Sequence, residues 1–516
     1  MTNPFPTSGI ISAAVFSFLA YFSAVVFYSR FPLEYAYLSI ASKSQKKTLL
    51  KPDNLVKDKD NFYLVAAVLL AAFALRVVLS NWIVGNKTDI NCFTAWANRA
   101  ATKGLKDFYS GGSFSDYPPG YITVLAAMGK IANIFGHTVK NASGAYDSVY
   151  VFLVKLPSFI ADLASAYLVY HLARKKLRFE PSLVLMALVA FNPVIMYNSA
   201  GYGQVDQIFT VLLALSIILL MTNKPIWAGT VYGLSIVLKP QALMAGPILA
   251  IAYFMYIFDP NFFSTANMKS NDDVKKRIIK TAIAVLSAVM LIVVSALPYH
   301  TAEYPFYQII LDKYLGTATS YKYVSINAYN LYGMIGANWA SLDKIAFGSI
   351  TYGTLGTIGM VISFAITVVL YIFGRKKHRG ALMLSIAYLF SAMFTIGHYM
   401  HERYIIPTIL LLILAYVIYS DRRLLMIAAL YSIPIFMNCM ASFYYCEYIG
   451  TNTAYWDLKL IKWVSIINVV MFVIFTYVCV DIMIRGRTIG DIFRKNSEDL
   501  VLTNAVSSGE QEKGAK

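Results

Sequence analysis

Apolar runs of membrane-crossing length alternate with short polar stretches along almost the whole chain. Spans are predicted at about 9–29, 61–84, 150–173, 183–198, 205–221, 226–238, 242–258, 279–297, 350–373, 381–397, 404–420, 424–438 and 461–484, against the roughly 20 residues a helix needs to cross the hydrocarbon core. The pattern predicts an all-α, polytopic integral membrane protein with about 13 transmembrane helices, within a range of about 12 to 14. Several runs are short and broken by Pro or Gly, which softens their edges.

Basic residues order these spans. Arg30, Lys43, Lys46, Lys47, Lys51, Lys57 and Lys59 follow the first run, and Arg174, Lys175, Lys176 and Arg178 follow the third. Lys275-Lys276-Arg277, Arg375-Lys376-Lys377, Arg422-Arg423 and Arg485 with Arg487 mark later turns. Loops rich in Lys and Arg stay cytoplasmic. All these clusters share one side when the N-terminus is outside, the C-terminus is cytoplasmic, and residues 119–136 form a re-entrant or interfacial helix instead of a span. The first run has no positive n-region and no small-residue cleavage site, so it reads as a retained anchor. Three regions follow: 1–60, an extra N-terminal span with a basic cytoplasmic loop; 61–484, the membrane domain, with interfacial helices in its first outer loop; and 485–516, a polar cytoplasmic tail whose composition predicts disorder.

Composition strengthens the membrane reading, with 58% hydrophobic and 14% charged residues where soluble domains carry about half and a quarter. The net charge of +17 sits mostly in the cytoplasmic loops, where it sets topology and meets anionic head groups. A nucleic-acid groove would interleave aromatics on a soluble face. Membrane lipids are therefore expected partners and nucleic acid is not. Cys92, Cys439, Cys446 and Cys479 have no metal-ligand spacing, and a Cys439–Cys446 bridge in an outer loop stays open.

This topology puts the reactive groups outside. Asp89 enters the first outer loop directly after a span, and Ser115-Asp116-Tyr117-Pro118-Pro119 closes the amphipathic segment that follows it. Gly201-Tyr202-Gly203-Gln204-Val205-Asp206, Lys239-Pro240-Gln241, His398-Tyr399-Met400-His401-Glu402-Arg403 and Tyr299-His300 with Glu303 lie at other outer junctions. Charges at membrane depth are costly, so their convergence predicts a cavity for a charged substrate. Each also has a plainer reading. Asp89 caps the next helix; Gln204 and Asp206 satisfy a hairpin backbone; Lys239 snorkels; the residues around His401 form a solvated turn. Arg76, near the outer end of its span, either snorkels or meets a phosphate. Lys155 and Asp162, seven apart on one helical face, read as a buried structural pair. The Tyr-rich segment 298–349 reads as interface anchors, or as a stacking surface for a sugar or prenyl chain.

These landmarks, together with Ile160-Ala161-Asp162-Leu163 and Leu238-Lys239-Pro240-Gln241, resemble the GT-C superfamily of polytopic glycosyltransferases over about 60–420. The pattern is similar to the endoplasmic-reticulum glucosyltransferases that extend the lipid-linked oligosaccharide, which share the Asp-Tyr-Pro-Pro and His-Glu-Lys/Arg landmarks, and to bacterial relatives of the GPI mannosyltransferases. It departs in the extra N-terminal span and in Arg403, where the eukaryotic enzymes more often carry Lys.

The resemblance implies transfer of a hexose, mannose or glucose, from a polyprenyl-phosphate donor to a glycan or lipid-linked acceptor on the outer face, with inversion. Asp89 would be the general base. His401 and Arg403, with Lys239 and Arg76, would stabilise the leaving phosphate. Asp116, Tyr117, Gln204, Asp206, Gln241, His398 and Glu402 would shape the donor and acceptor pocket. One phosphate leaving on lipid calls for no metal and no cofactor. The resemblance favours a bacterial plasma membrane; in a eukaryote the membrane would be the endoplasmic reticulum, with Asn86-Lys87-Thr88 and Asn141-Ala142-Ser143 as lumenal glycosylation sequons. The rival class is a transporter or flippase for a lipid-linked glycan or anionic solute, using Lys155, Asp162 and Lys239 as midplane sites. A polysaccharide polymerase or ligase is a third reading, one that expects no first-loop acid.

Overall fold

The computed structural model describes residues 7–30, 60–110, 114–259, 272–316, 322–378, 380–449 and 457–488. The predicted basic loop after the first span, and the predicted tail beyond residue 488, lie outside the described residues. The long helices, numbered in chain order, are α1 (Thr7–Arg30), α2 (Phe62–Trp82), α3 (Lys87–Lys103), α4 (Pro119–Ile134), α5 (Ser148–Ala173), α6 (Phe179–Ala190), α7 (Asp206–Met221), α8 (Pro225–Leu238), α9 (Gly246–Phe258), α10 (Val274–Ala296), α11 (Tyr352–Arg375), α12 (Ala381–Ile396), α13 (Ile406–Tyr419), α14 (Arg422–Tyr444) and α15 (Leu458–Cys479). Every predicted span is helical. Seven helical stretches among the described residues are long and apolar enough to cross a membrane, or eight if α6 and the helical segment Pro193–Tyr202, bent by 42°, form one span. The remaining predicted spans fall on shorter apolar stretches in α1, α7, α8, α12 and α13. The protein is thus an all-α, multi-pass membrane protein.

Burial separates two kinds of helix. α12 and α13 are apolar on all sides and buried almost throughout, as helices enclosed by other helices must be. α2 and α10 turn most of their apolar surface outward, which a hydrocarbon solvent tolerates. The extra N-terminal helix belongs to the bundle: α1 packs on α14 and α6, and Tyr28 meets Tyr416 edge-on at 6.3 Å.

Among the described residues, the basic clusters from residue 174 onward gather at one end of the bundle. Lys176 Nζ donates to Ile418 O at 2.5 Å, Arg375 pairs with Asp259 at 2.9 Å, and Arg423 bridges Asp421 and Asp481 at 2.7 and 2.6 Å. α4 stays at the opposite end. Its first turn abuts Val237 through Gly120, and His137, just past its last turn, pairs at 3.0 Å with Asp147 at the start of α5. Both ends of this helix thus lie at the end of the bundle away from the basic clusters. α5 carries the chain from there to Arg174.

The Tyr-rich segment corrects an expectation. Tyr299, Tyr314, Tyr329 and Tyr332 are buried, so those rings are internal packing and not interface anchors. Two residues of this segment, Ser325–Ile326, pair in parallel with Met400–His401. That short ladder ties the 398–403 motif to the long 298–349 segment.

Candidate active site

Five separate chain segments deliver the polar residues to the end opposite the basic clusters. The first is the start of α3. Asn86 is its N-cap, accepting from the Asp89 N–H at 3.2 Å, so Asp89 is the third residue of the helix and not its cap. Asn86 is buried at 7% exposure, which leaves no room for a glycan on the first sequon. Freed from capping, the Asp89 side chain accepts a hydrogen bond from Gln204 Nε2.

The second segment is the bend before α7. Pro193 lacks an N–H and starts a new helical turn, which Asn192 caps by accepting from Val194 and Ile195 N–H groups. That turn widens into a π-turn at Tyr197–Tyr202 and stops at Gly203, whose φ is +86°. A Cβ on Gly203 would lie 2.7 Å from Ile90 and 3.3 Å from Lys155. Only glycine fits there, and the turn it makes aims Gln204 at Asp89. Tyr117, from the Asp-Tyr-Pro-Pro turn, donates to Gln204 Oε1 at 3.4 Å. The amide is thus oriented from both ends.

The end of the same bend and two further segments bring charge. Asp206 opens α7, Lys239 closes α8, and their side chains, 1% and 3% exposed, meet at 2.6 Å. Arg403 lies with its Nε 3.7 Å from Asp206 and its Nη1 2.7 Å from Glu402. Glu402 also accepts from the Tyr202 hydroxyl at 2.9 Å. Lys239 therefore does not snorkel, Asp206 does not serve a hairpin backbone, and the segment around His401 is no solvated turn. The Arg403 Nε–H is buried and has no hydrogen-bond acceptor among the described residues.

Electrostatics follow from this crowding. Burial pushes the Asp89 carboxyl above its ordinary value; Arg403 pulls it down, Glu402 pushes it up, and the Gln204 hydrogen bond opposes the rise. Burial works against the Arg403 charge, and Glu402, Asp89 and Asp206 more than offset it. His401 is held well below its ordinary value by burial, then by Arg403 and Lys239. These effects favour the neutral ring.

Other predicted residues are placed less centrally. Asp116 is half-buried and lies in the electrostatic environment of Asp89. Gln241 lies close to Tyr404, beside the cluster. His398 points elsewhere, with Nε2 3.1 Å from the Thr357 hydroxyl of α11. Arg76 neither snorkels nor reaches the cluster: it is fully buried and pairs with Asp162 at 2.7 Å, whose Oδ2 also accepts from Ser199 at 2.5 Å. The predicted Lys155–Asp162 pair is thereby replaced, and Lys155 instead donates to Ile83 O and Ala200 O at 2.8 and 2.7 Å. These carbonyls end two helical segments, where a cation is favoured. Cys439 and Cys446 are free thiols, so the bridge is not formed.

The Arg76 pair makes a stability prediction. Arg76→Met should cost about 3–5 kcal/mol by leaving Asp162 buried alone, and adding Asp162→Leu should recover much of that loss. Thermal unfolding in detergent checks it; equal stability of the single variant and the wild type would refute the pairing.

Two contributors escaped the sequence reading. Asn327 takes an N–H from Trp339 at 2.8 Å and gives its carbonyl to Asn438 at 2.7 Å, holding the strand beside His401. Glu447 reaches the start of α3 from the far end of the chain. Neither lies in a local pattern that marks it.

Comparison with curated proteins finds no match. The model of glycosyltransferase family 87 matches residues 114–396, a range that takes in Asp116, Tyr117, Gln204, Asp206, Lys239 and Gln241 and stops short of Asp89 on one side and His401 on the other. The chain belongs to glycosyltransferase family 87, a membrane glycosyltransferase family of the GT-C type.

Proposed function

We propose that the protein moves a hexose, mannose or glucose, from a polyprenyl-phosphate donor to a hydroxyl of a glycan or lipid-linked acceptor at the outer membrane face. The observation that carries this reading is the placement of Asp89, oriented by Gln204, in the same cluster as Arg403 with its unspent Nε–H. A carboxylate of raised affinity for protons opposite a cationic donor suits a single displacement. The acceptor oxygen bonds to the anomeric carbon as its proton passes to Asp89. The bond from that carbon to the phosphate oxygen breaks, and the charge developing on the lipid phosphate meets Arg403, with His401 and Lys239 behind it. One displacement inverts the anomeric centre.

Asp206 and Glu402 hold the two cations in place before substrate arrives. Their preorganisation spares reorganisation at the moment of reaction. Tyr117 and Asp116 flank the base, and the Pro118-Pro119 turn fixes them. A lipid monophosphate leaving group asks for no metal in this scheme.

The test is direct. Protein reconstituted in lipid should consume labelled polyprenyl-phosphomannose or polyprenyl-phosphoglucose, in EDTA as well as without it. Consumption of sugar nucleotides with both lipid donors untouched would overturn the proposal.

A further inference from the structure

We infer that Glu447 is a positioning residue for Asp89, clamping the first turn of α3 from the last outer loop; this rests on the reading of Asp89 as the base. Glu447 sits in the π-turn Tyr445–Ile449 that ends α14. Its side chain is 7% exposed, and its Oε1 accepts from the Lys87 backbone N–H at 2.5 Å across 360 residues of sequence. Lys87 is the first residue of α3 and Asp89 the third. The bond therefore lies within one turn of the base.

The start of α3 is held from three directions. Asn86 Oδ1 takes the Asp89 N–H, the Asn86 N–H donates to Tyr202 O at 3.0 Å, and Glu447 takes the Lys87 N–H. First-turn N–H groups lack helical partners, and a carboxylate at that end also suits the helix dipole. The companion contact to Lys87 Nζ is long, at 3.7 Å, and that side chain is 70% exposed, so it contributes little. The backbone bond is the clamp.

Its consequence is geometric. Gln204 and Arg403 come from other elements, so any drift of the α3 start changes the distance from Asp89 to both. Misplacement of a reacting group by about 1 Å can cost about a hundred-fold in rate. Glu447 touches neither of those partners, and its effect must travel through the helix start.

The experiment compares full-length wild type, Glu447→Ala and Glu447→Gln in lipid nanodiscs, with polyprenyl-phosphomannose and polyprenyl-phosphoglucose as donors and hydrogen exchange read on the peptide around residues 86–92. Glu447→Ala should lower kcat about ten- to a hundred-fold with donor KM within about two-fold, and should speed exchange at the α3 start. Glu447→Gln keeps an acceptor oxygen for the Lys87 N–H and should restore both readouts to within about three-fold. Three results would overturn the inference: a Gln variant as damaged as the Ala variant, a raised KM with unchanged kcat, or faster exchange with no loss of turnover. A wild type inactive on both donors would instead sink the donor assignment. The exchange arm would then decide the clamp by itself, unchanged exchange in Glu447→Ala refuting it.

Discussion

Asp89→Asn should lower sugar transfer by about a hundred-fold or more while donor binding persists. The substitution is nearly isosteric, and its Oδ1 can still accept the hydrogen bond that Gln204 gives Asp89. The helix start does not depend on the replaced carboxylate, because Asn86 is the cap. Folded yield should therefore hold. What the amide cannot do is take the acceptor's proton. Full activity in this variant would remove Asp89 as the base and turn attention to Asp116, since Glu402 is already engaged by Tyr202 and Arg403.

Loss of the Arg403 guanidinium should be the second large effect. Arg403→Ala together with His401→Ala should cost about a hundred- to a thousand-fold in turnover, the usual consequence of removing a well-placed electrostatic donor. Arg403→Ala also strips a partner from Glu402 and Asp206, so part of its loss will be structural. Arg403→Lys separates the two contributions. It keeps a cation beside both carboxylates and loses the Nε–H, so folded yield should match the wild type while turnover falls about ten- to a hundred-fold. His401→Ala alone removes a neutral ring and should leave the salt dependence of the rate unchanged. Normal turnover in Arg403→Lys and His401→Ala together would return this segment to a packing role.

Much of this was legible in the linear chain for simple reasons. A helix in hydrocarbon must be apolar for its whole length, so each predicted span fell on a real helix. Lys and Arg in loops favour water, so the clusters from residue 174 onward pointed to one end of the bundle, where Lys176 meets Ile418. The convergence at Asp89, Gln204, Asp206, Lys239 and Arg403 was readable because each follows or precedes an apolar run at the same end.

What was hidden is pairing between distant segments. Asp162 has a cation seven residues away on its own helix, yet its partner is Arg76, 86 residues away in sequence; helical spacing cannot rank a neighbour against a residue on another helix. Asn86 and Asp89 are both good caps and stand three apart, so local preference could not choose between them. The ring cluster of residues 298–349 looked interfacial because a loop with its own buried core has no periodic signature. Glu447 is the extreme case, a polar residue in an unpatterned turn whose contact lies at the other end of the chain.

The measurement that tests the central claim most directly is the pH dependence of single-turnover transfer, taken for the wild type and for Asp89→Asn. A general base works only when deprotonated, and burial raises the proton affinity of Asp89. The wild-type rate should therefore fall as pH drops through an apparent pKa above that of an ordinary aspartate, about 3.9. Asp89→Asn should show a low rate without that acid limb. An acid limb of the same midpoint in both proteins would mean that another group takes the proton, and would contradict the account.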